Sequence, residues 1–292
     1  MDFMCIKIKK IIKQFVEETK LGKEIELNIE EWKMKKILII EASPRNGYCK
    51  AISDDILKQL GDIYELDLIS LRDLNIDSCT GCSICLFAGS SKCPLRNDDV
   101  IIVLEKMMWA DGIIFVVPNY SLGVPALLKN LFDRLAYLFH RPRLFHKVIL
   151  PVIVQGVIGG KKIADYINKV MGYWGMNPVK GVVVTGGVYL NKEKSSQLIQ
   201  KDKHTIGVGL KRFSQEINRT KVKSPSNLSL IVFRMARTSI KYGEDALPPD
   251  KAYYQKLGWF ESNYYYDVKL NPFRKIVGIC IDKIAKRMVM KV

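Results

Sequence analysis

Three apolar runs without a single charged residue, at 37–40, 112–117 and 148–154, constrain this chain more than any other feature. Apolar residues at consecutive strand positions leave no face for water, so such strands belong inside a parallel sheet covered on both sides. Residues 63–69 and 179–185 read as two further strands. Between the strands, 50–60, 98–109, 125–139 and 161–173 repeat apolar residues at helical spacing. Strands alternating with helices specify βαβ units and a doubly wound α/β fold. A chain of 292 residues can bury one large core or two modest ones without disulfides.

Five strands in this arrangement predict the flavodoxin-like order 2-1-3-4-5. The domain that carries them spans 36–189, with a cysteine-bearing insertion at 75–98. Residues 1–35 read as a helical N-terminal extension, with Met4, Ile8, Ile11, Ile12 and Phe15 at helical spacing. Residues 190–292 read as a basic, mostly helical C-terminal extension, with helices at 192–217 and from Pro272 to Lys291. The charge is uneven. Of the net +16, the first 36 residues contribute +2 (9 basic, 7 acidic) and residues 37–189 another +2 (16 and 14). Residues 190–292 contribute +12 (21 and 9). Such a tail suits nucleic acid, an anionic membrane or an acidic partner. No nucleic-acid motif accompanies it, which disfavours the first. Neither a secretory leader nor a convincing membrane span is visible, so a cytoplasmic location with reduced cysteines is expected.

The first strand runs into Ser43-Pro44-Arg45-Asn46-Gly47-Tyr48-Cys49-Lys50, and a helix follows. In doubly wound folds ligands bind at the carboxyl ends of strands. The N–H groups of the following helix attract phosphate, Arg45 adds a cation and Ser43 a hydroxyl. The plain alternative is an ordinary strand–turn–helix connection. The glycine spacings of a P-loop or a dinucleotide fingerprint are missing.

Here a resemblance becomes specific. Ser43-Pro44-Arg45 with Asn46-Gly47 is similar to the phosphate loop of the NADPH-dependent FMN reductase family. A second stretch resembles that family's ring-side signature. It runs through Pro118-Asn119-Tyr120-Ser121-Leu122-Gly123 and on to Leu128-Lys129, Phe132 and Asp133-Arg134. The resemblance covers about residues 36–187 and implies FMN, its phosphate on the first loop and its ring and ribityl chain against the second. A third loop, with Gln155, Gly156, Gly159 and Gly160, follows the fourth strand and in the family lies near the flavin ring. Two departures stand out: Ala42 replaces the usual glycine, and Tyr48-Cys49 stands where a hydroxyl donor to phosphate is common.

Cys79, Cys82, Cys85 and Cys93, the last followed by Pro94, lie within fifteen residues. Their first three spacings match a bacterial [4Fe–4S] run, and the last gap is longer. The motif and its position resemble the iron–sulfur flavoprotein branch of the same family. Gly81 and Gly89 would let the backbone wrap a cubane. Zinc and no metal remain alternatives, although zinc prefers two separated pairs. Cys5, Cys49 and Cys280 read as isolated neutral thiols; for Cys49, a helix N-terminus able to lower its pKa leaves a redox role as a minor alternative. His140, His146 and His204 show no triad pattern, and His140 and His146, in a basic stretch with Arg141 and Arg143, read as surface residues.

These observations lead to an FMN-dependent oxidoreductase with a [4Fe–4S] cluster, its chemistry carried by the flavin. One alternative is a cluster-free NAD(P)H-dependent reductase of flavin, quinone or nitro compounds. Another is a non-enzymatic protein binding anionic surfaces. The resemblance implies a homodimer or tetramer. Ferredoxin is a suitable redox partner, and the basic C-terminal helix suits peripheral membrane contact. Trp259-Phe260 and Tyr264-Tyr265-Tyr266 suit a flavin cover, a dimer interface or a small core of their own.

Overall fold

In the computed structural model, residues 34–186, 192–243 and 247–290 are described, without the side chains of 192–198. The expected N-terminal helical extension, apart from residues 34 and 35, lies outside the described residues.

The apolar runs form the centre of a parallel sheet. Its strands are β1 (Lys36–Glu41), β2 (Glu65–Ser70), β3 (Gly112–Pro118), β4 (Val148–Gln155), β5 (Asn177–Pro178) and β6 (Val182–Thr185). The order is β2-β1-β3-β4, and both β5 and β6 pair with β4. The expected fifth strand is therefore two short pieces in one position. Asn177 and Val179 donate to the Lys147 and Ile149 carbonyls on either side of Pro178, whose missing N–H faces away from β4. The second piece begins after Gly181, where a Cβ would stand 2.6 Å from that of Ala164.

The helices are α1 (Tyr48–Leu60), α2 (Val100–Trp109), α3 (Ala126–Arg134), α4 (Gly160–Tyr173), α5 (Lys192–Ile217), α6 (Asn227–Tyr242), α7 (Pro248–Lys256) and α8 (Pro272–Val289). The expected long helix at 125–139 stops at Arg134 and continues as a 3-10 turn, Ala136–Phe139.

Side chains alternate across each strand, so every run feeds two cores. Leu38, Ile40, Ile113, Phe115 and Ile153 pack with Met107 of α2, Leu128 of α3 and Ile163 of α4. Ile37, Ile39, Ile114, Val116 and Val152 pack with Ile56 of α1 and with Ile206, Leu210, Phe213 and Ile217 of α5. The second face is thus completed by a helix that follows residue 189. The approach is close: a Cβ on Gly209 of α5 would stand 2.2 Å from Val182, and one on Gly112 would stand 2.4 Å from the Phe213 ring.

The rest of the C-terminal region has its own core, in which Leu230, Phe233, Tyr254, Trp259, Tyr264 and Leu270 are buried. Phe145, just before β4, packs its ring against Trp259, Tyr265 and Tyr266 and docks this core on the sheet domain. The aromatic cluster therefore forms a small core, one of its three expected roles. Among the described residues, no helix is long and apolar enough to cross a membrane.

Because Phe213 fills the space over Gly112, Phe213→Ala should lower the free energy of unfolding by about 3–5 kcal/mol. Denaturant titration followed by circular dichroism measures this.

Candidate functional site

A sheet buried on both faces presents its free polar groups at the strand ends. The loops after β1, β3 and β4 lie at the carboxyl ends of three adjacent strands. In the first loop Arg45, Asn46 and Gly47 are exposed. No side chain caps α1, so its first-turn N–H groups stay open to an acceptor. Arg45 pairs with no carboxylate among the described residues.

The other polar groups of this loop are engaged. The Ser43 hydroxyl is buried and donates to the Arg45 carbonyl at 2.8 Å, so it shapes the turn. Tyr48 donates its hydroxyl to Asp202 of α5 at 2.8 Å; burial, then Asp202, pushes the Tyr48 pKa up. Lys50 pairs with Asp54 one turn on. Cys49 is buried, and desolvation chiefly, with the Glu41 carboxylate next, pushes its thiol up to about 12. The helix N-terminus does not activate this cysteine. What remains for an anion is Arg45 and the backbone N–H groups. Below the loop, Glu41 is fully buried and accepts from Arg72 at 2.5 Å. Arg72 also reaches the Ser43 carbonyl at 3.3 Å and Ser70 at 3.0 Å, pinning the loop to the end of β2.

The second and third loops are tied together. Pro118 closes β3; Asn119 then donates its backbone N–H to Val154 at 2.8 Å and its side-chain amide to the Ile158 carbonyl at 2.6 Å. Its buried Oδ1 has no partner among the described residues. Tyr120 and Gly123 exchange backbone hydrogen bonds across a turn in which Ser121 and Leu122 both hold positive φ. Gln155 accepts from the Gly160 N–H at 2.8 Å, capping α4. Gly159, at φ +97°, lies where a Cβ would stand 2.8 Å from Leu122, so the two loops meet at that glycine. Gly156 faces open space.

The four cysteines line one cavity, with Thr80, Ser90, Leu95 and Tyr137 among its walls. Gly81, Ser83 and Gly89 hold positive φ, bending the backbone around it. Cys79 and Cys82 are exposed, Cys85 and Cys93 half-buried. Hydrogen bonding from the Ile84 N–H lowers the Cys82 thiol, whereas burial raises that of Cys85. Among the described residues, no three His, Cys, Asp or Glu side chains stand close enough together to hold a metal ion.

Two buried arginines hold this loop. Arg134 of α3 donates to the Asp77 carbonyl at 2.8 Å, to the Leu95 carbonyl and to Asp98. Asn130, one turn earlier, accepts from the Cys79 N–H at 3.0 Å and donates to the Ile76 carbonyl at 3.0 Å. Arg141 donates to the Cys85 carbonyl at 2.5 Å and pairs with Asp250 of α7, which is fully buried. His140 also meets Asp250, at 2.8 Å. His146 is exposed, as expected, and His140 is partly exposed beside Asp250; Arg141 between them is buried, and Asp250, 109 residues away, neutralises it. Arg134 carried a signal, its place in the Asp133-Arg134 motif; Arg141, Asp250 and Asp202 carried none.

A parallel 2-1-3-4 sheet flanked by helices, with three loops converging at one edge and an uncapped helix N-terminus among them, defines a flavodoxin-like protein. The sequence model of the NADPH-dependent FMN reductase family matches residues 35–189. The chain belongs to that family of flavin-dependent oxidoreductases. An iron-sulfur flavoprotein of Archaeoglobus fulgidus is 31% identical over 157 residues, covering 53% of this chain and 70% of its own length. Another, of Methanocaldococcus jannaschii, is 41% identical over 101 residues, or 34% of this chain and 51% of that protein. The crystal structure of RosB, with 8-demethyl-8-formylriboflavin-5'-phosphate bound, aligns at TM-score 0.51 and 14% identity. That alignment covers 82% of this chain and 92% of RosB, a likeness of fold alone.

Native metal-free protein treated with iodoacetamide at neutral pH should be alkylated at Cys280 and Cys82 but not at Cys49, which reacts only after unfolding; peptide mass spectrometry reads each site. Asp98 sits under opposing influences. Burial raises its pKa, but hydrogen bonds from Arg134 and from the Asp77 and Val100 N–H groups outweigh this and hold it below the usual value. A carboxyl held low when folded stabilises the protein above its unfolded pKa and loses that effect as pH falls. Asp98→Asn should therefore be less stable at neutral pH and show a shallower fall in Tm on acidification through about pH 4.

Proposed function

We propose that this chain is an FMN-dependent oxidoreductase in which Cys79, Cys82, Cys85 and Cys93 hold a [4Fe–4S] cluster that exchanges electrons with the flavin. The observation that carries this reading is the position of α3. The helix begins directly after the ring-side loop 118–123, and its next turns hold the cysteine loop through Asn130 and Arg134. One rigid element thus serves both cofactor sites. Four soft thiolate donors around one cavity suit iron–sulfur chemistry, and curated relatives bear the name iron-sulfur flavoprotein.

The residues suit FMN. Arg45 and the open N–H groups at the start of α1 would hold the phosphate; the exposed guanidinium offers a charge-assisted bond. Asn119 Oδ1, a buried acceptor with no partner, suits a ring N–H. Gly156, facing open space, leaves room for a planar group against the third loop. FMN supplies the transfer of hydride or single electrons. The protein binds and orients it, and keeps the loops in register through Asn119, Gln155 and Arg72. NAD(P)H or a ferredoxin fits as electron donor, and a homodimer or tetramer as the working form.

A cluster-free NAD(P)H-dependent reductase is the second reading, favoured by the separation of the four cysteine side chains among the described residues. Anaerobic purification with flavin, iron and sulfide analysis decides between them. The first reading expects FMN with about four irons and four sulfides per chain, and loss of iron in Cys85→Ser with FMN retained. FMN without iron in anaerobic protein assigns the second reading. Failure to bind FMN at all overturns both. Arg45→Ala should weaken FMN binding at least about tenfold, as a lost hydrogen bond to a charged group, and leave riboflavin binding unchanged.

A further inference from the structure

We propose that the outward face of α8 seats on an anionic lipid bilayer surface. The proposal is independent of the flavin and cluster assignments.

The inner face of α8 is fully used. Gly278 lets α8 approach α6 so closely that a Cβ there would stand 2.9 Å from the Arg234 guanidinium. Asp282, the single acidic residue of the helix, points inward, where it accepts from Arg234 at 2.7 Å, Arg237 at 2.6 Å and the Thr238 hydroxyl at 2.7 Å. Ala285 is buried on the same side.

Among the described residues, the outer face has no such partners. Phe273, Ile276, Cys280, Ile284 and Met288 recur at spacings of three and four, which aligns them along one side of the helix. Phe273 is 72% exposed, Ile276 60%, Ile284 51% and Met288 57%. Single exposed apolar residues are ordinary on a protein surface, but a continuous row marks an interaction site. Lys283 and Arg287 are exposed on the same side. With Asp282 turned inward, this face carries cations and apolar side chains and no carboxylate.

The charge selects the occupant. A helix with an apolar row framed by Lys and Arg lies in the plane of a bilayer, its apolar side chains at the acyl boundary and its cations at anionic headgroups. A second copy of the chain docked through this face would set one cationic, carboxylate-free face against another. The surplus of basic residues after 189, +12, provides attraction beyond the helix itself. The helix does not span the membrane, since it carries too many charges.

Flotation of the full chain with vesicles tests this. The wild type should float with vesicles of phosphatidylcholine and phosphatidylglycerol, remain unbound with phosphatidylcholine alone, and release at high salt. Lys283→Glu/Arg287→Glu should weaken binding to the mixed vesicles at least about tenfold. Ile276→Glu/Ile284→Glu should abolish it. Both pairs are exposed, and unchanged circular dichroism and Tm confirm folding. Equal flotation with both vesicle types, no flotation, or full binding by either variant overturns the proposal. So does an oligomer that Ile276→Glu/Ile284→Glu dissociates in the absence of any lipid binding, which would assign the face to a second copy.

Discussion

Burial of the sheet on both faces is the constraint from which the rest of this structure follows. β1, β3 and β4 contain almost nothing that can hydrogen-bond outside the ladder, so they have to be covered by helices on each side. Polar chemistry is then excluded from the faces and confined to the strand ends. The loops after β1, β3 and β4 carry that chemistry, and the covering helices hold them in place. Even α5, far along the chain from the first strands, belongs to this arrangement: it seals the second face and supplies Asp202, which holds Tyr48 at the start of α1.

The cysteine loop obeys a different rule. Ile76, Cys85 and Leu86 pack against the sheet core, and charge holds the rest. Arg134 and Arg141 are both buried, and each is neutralised by a buried carboxylate, Asp98 for one and Asp250 for the other. Their remaining N–H groups bond the carbonyls of Asp77, Leu95 and Cys85. A buried charge that loses its partner costs about 3–5 kcal/mol, so each pair acts as a lock on the loop. Asp250 belongs to the C-terminal region, which therefore does more than extend the chain: its aromatic core positions α7, and α7 fixes the cysteine loop.

Much of the fold was legible because its signals are local. Runs without charge mark strands that have no wet face, and helical spacing between them marks the layers. The loop at 43–50 and the signature at 118–134 were readable from short-range residue order. Side-chain direction within those loops was not. Ser43 turns inward to its own turn, Cys49 is sealed in the core, and Lys50 is paired, leaving Arg45 and the backbone as the anion-binding groups. The division of the fifth strand into β5 and β6 also escaped a reading by composition; between the pieces, Gly181 packs closely on Ala164.

By itself the sequence determined the layer architecture and the residue types at the three strand-end loops and in the cysteine motif. These follow from periodicity and spacing, which are properties of neighbouring residues. Only the tertiary structure decided which charges pair, which loop groups stay free, and that the one acid of α8 faces inward while its apolar row faces out. Arg141 with Asp250 and Tyr48 with Asp202 are separated by 109 and 154 residues. No local pattern encodes such partnerships; they exist because helices fixed by hydrophobic burial bring those side chains within hydrogen-bonding distance.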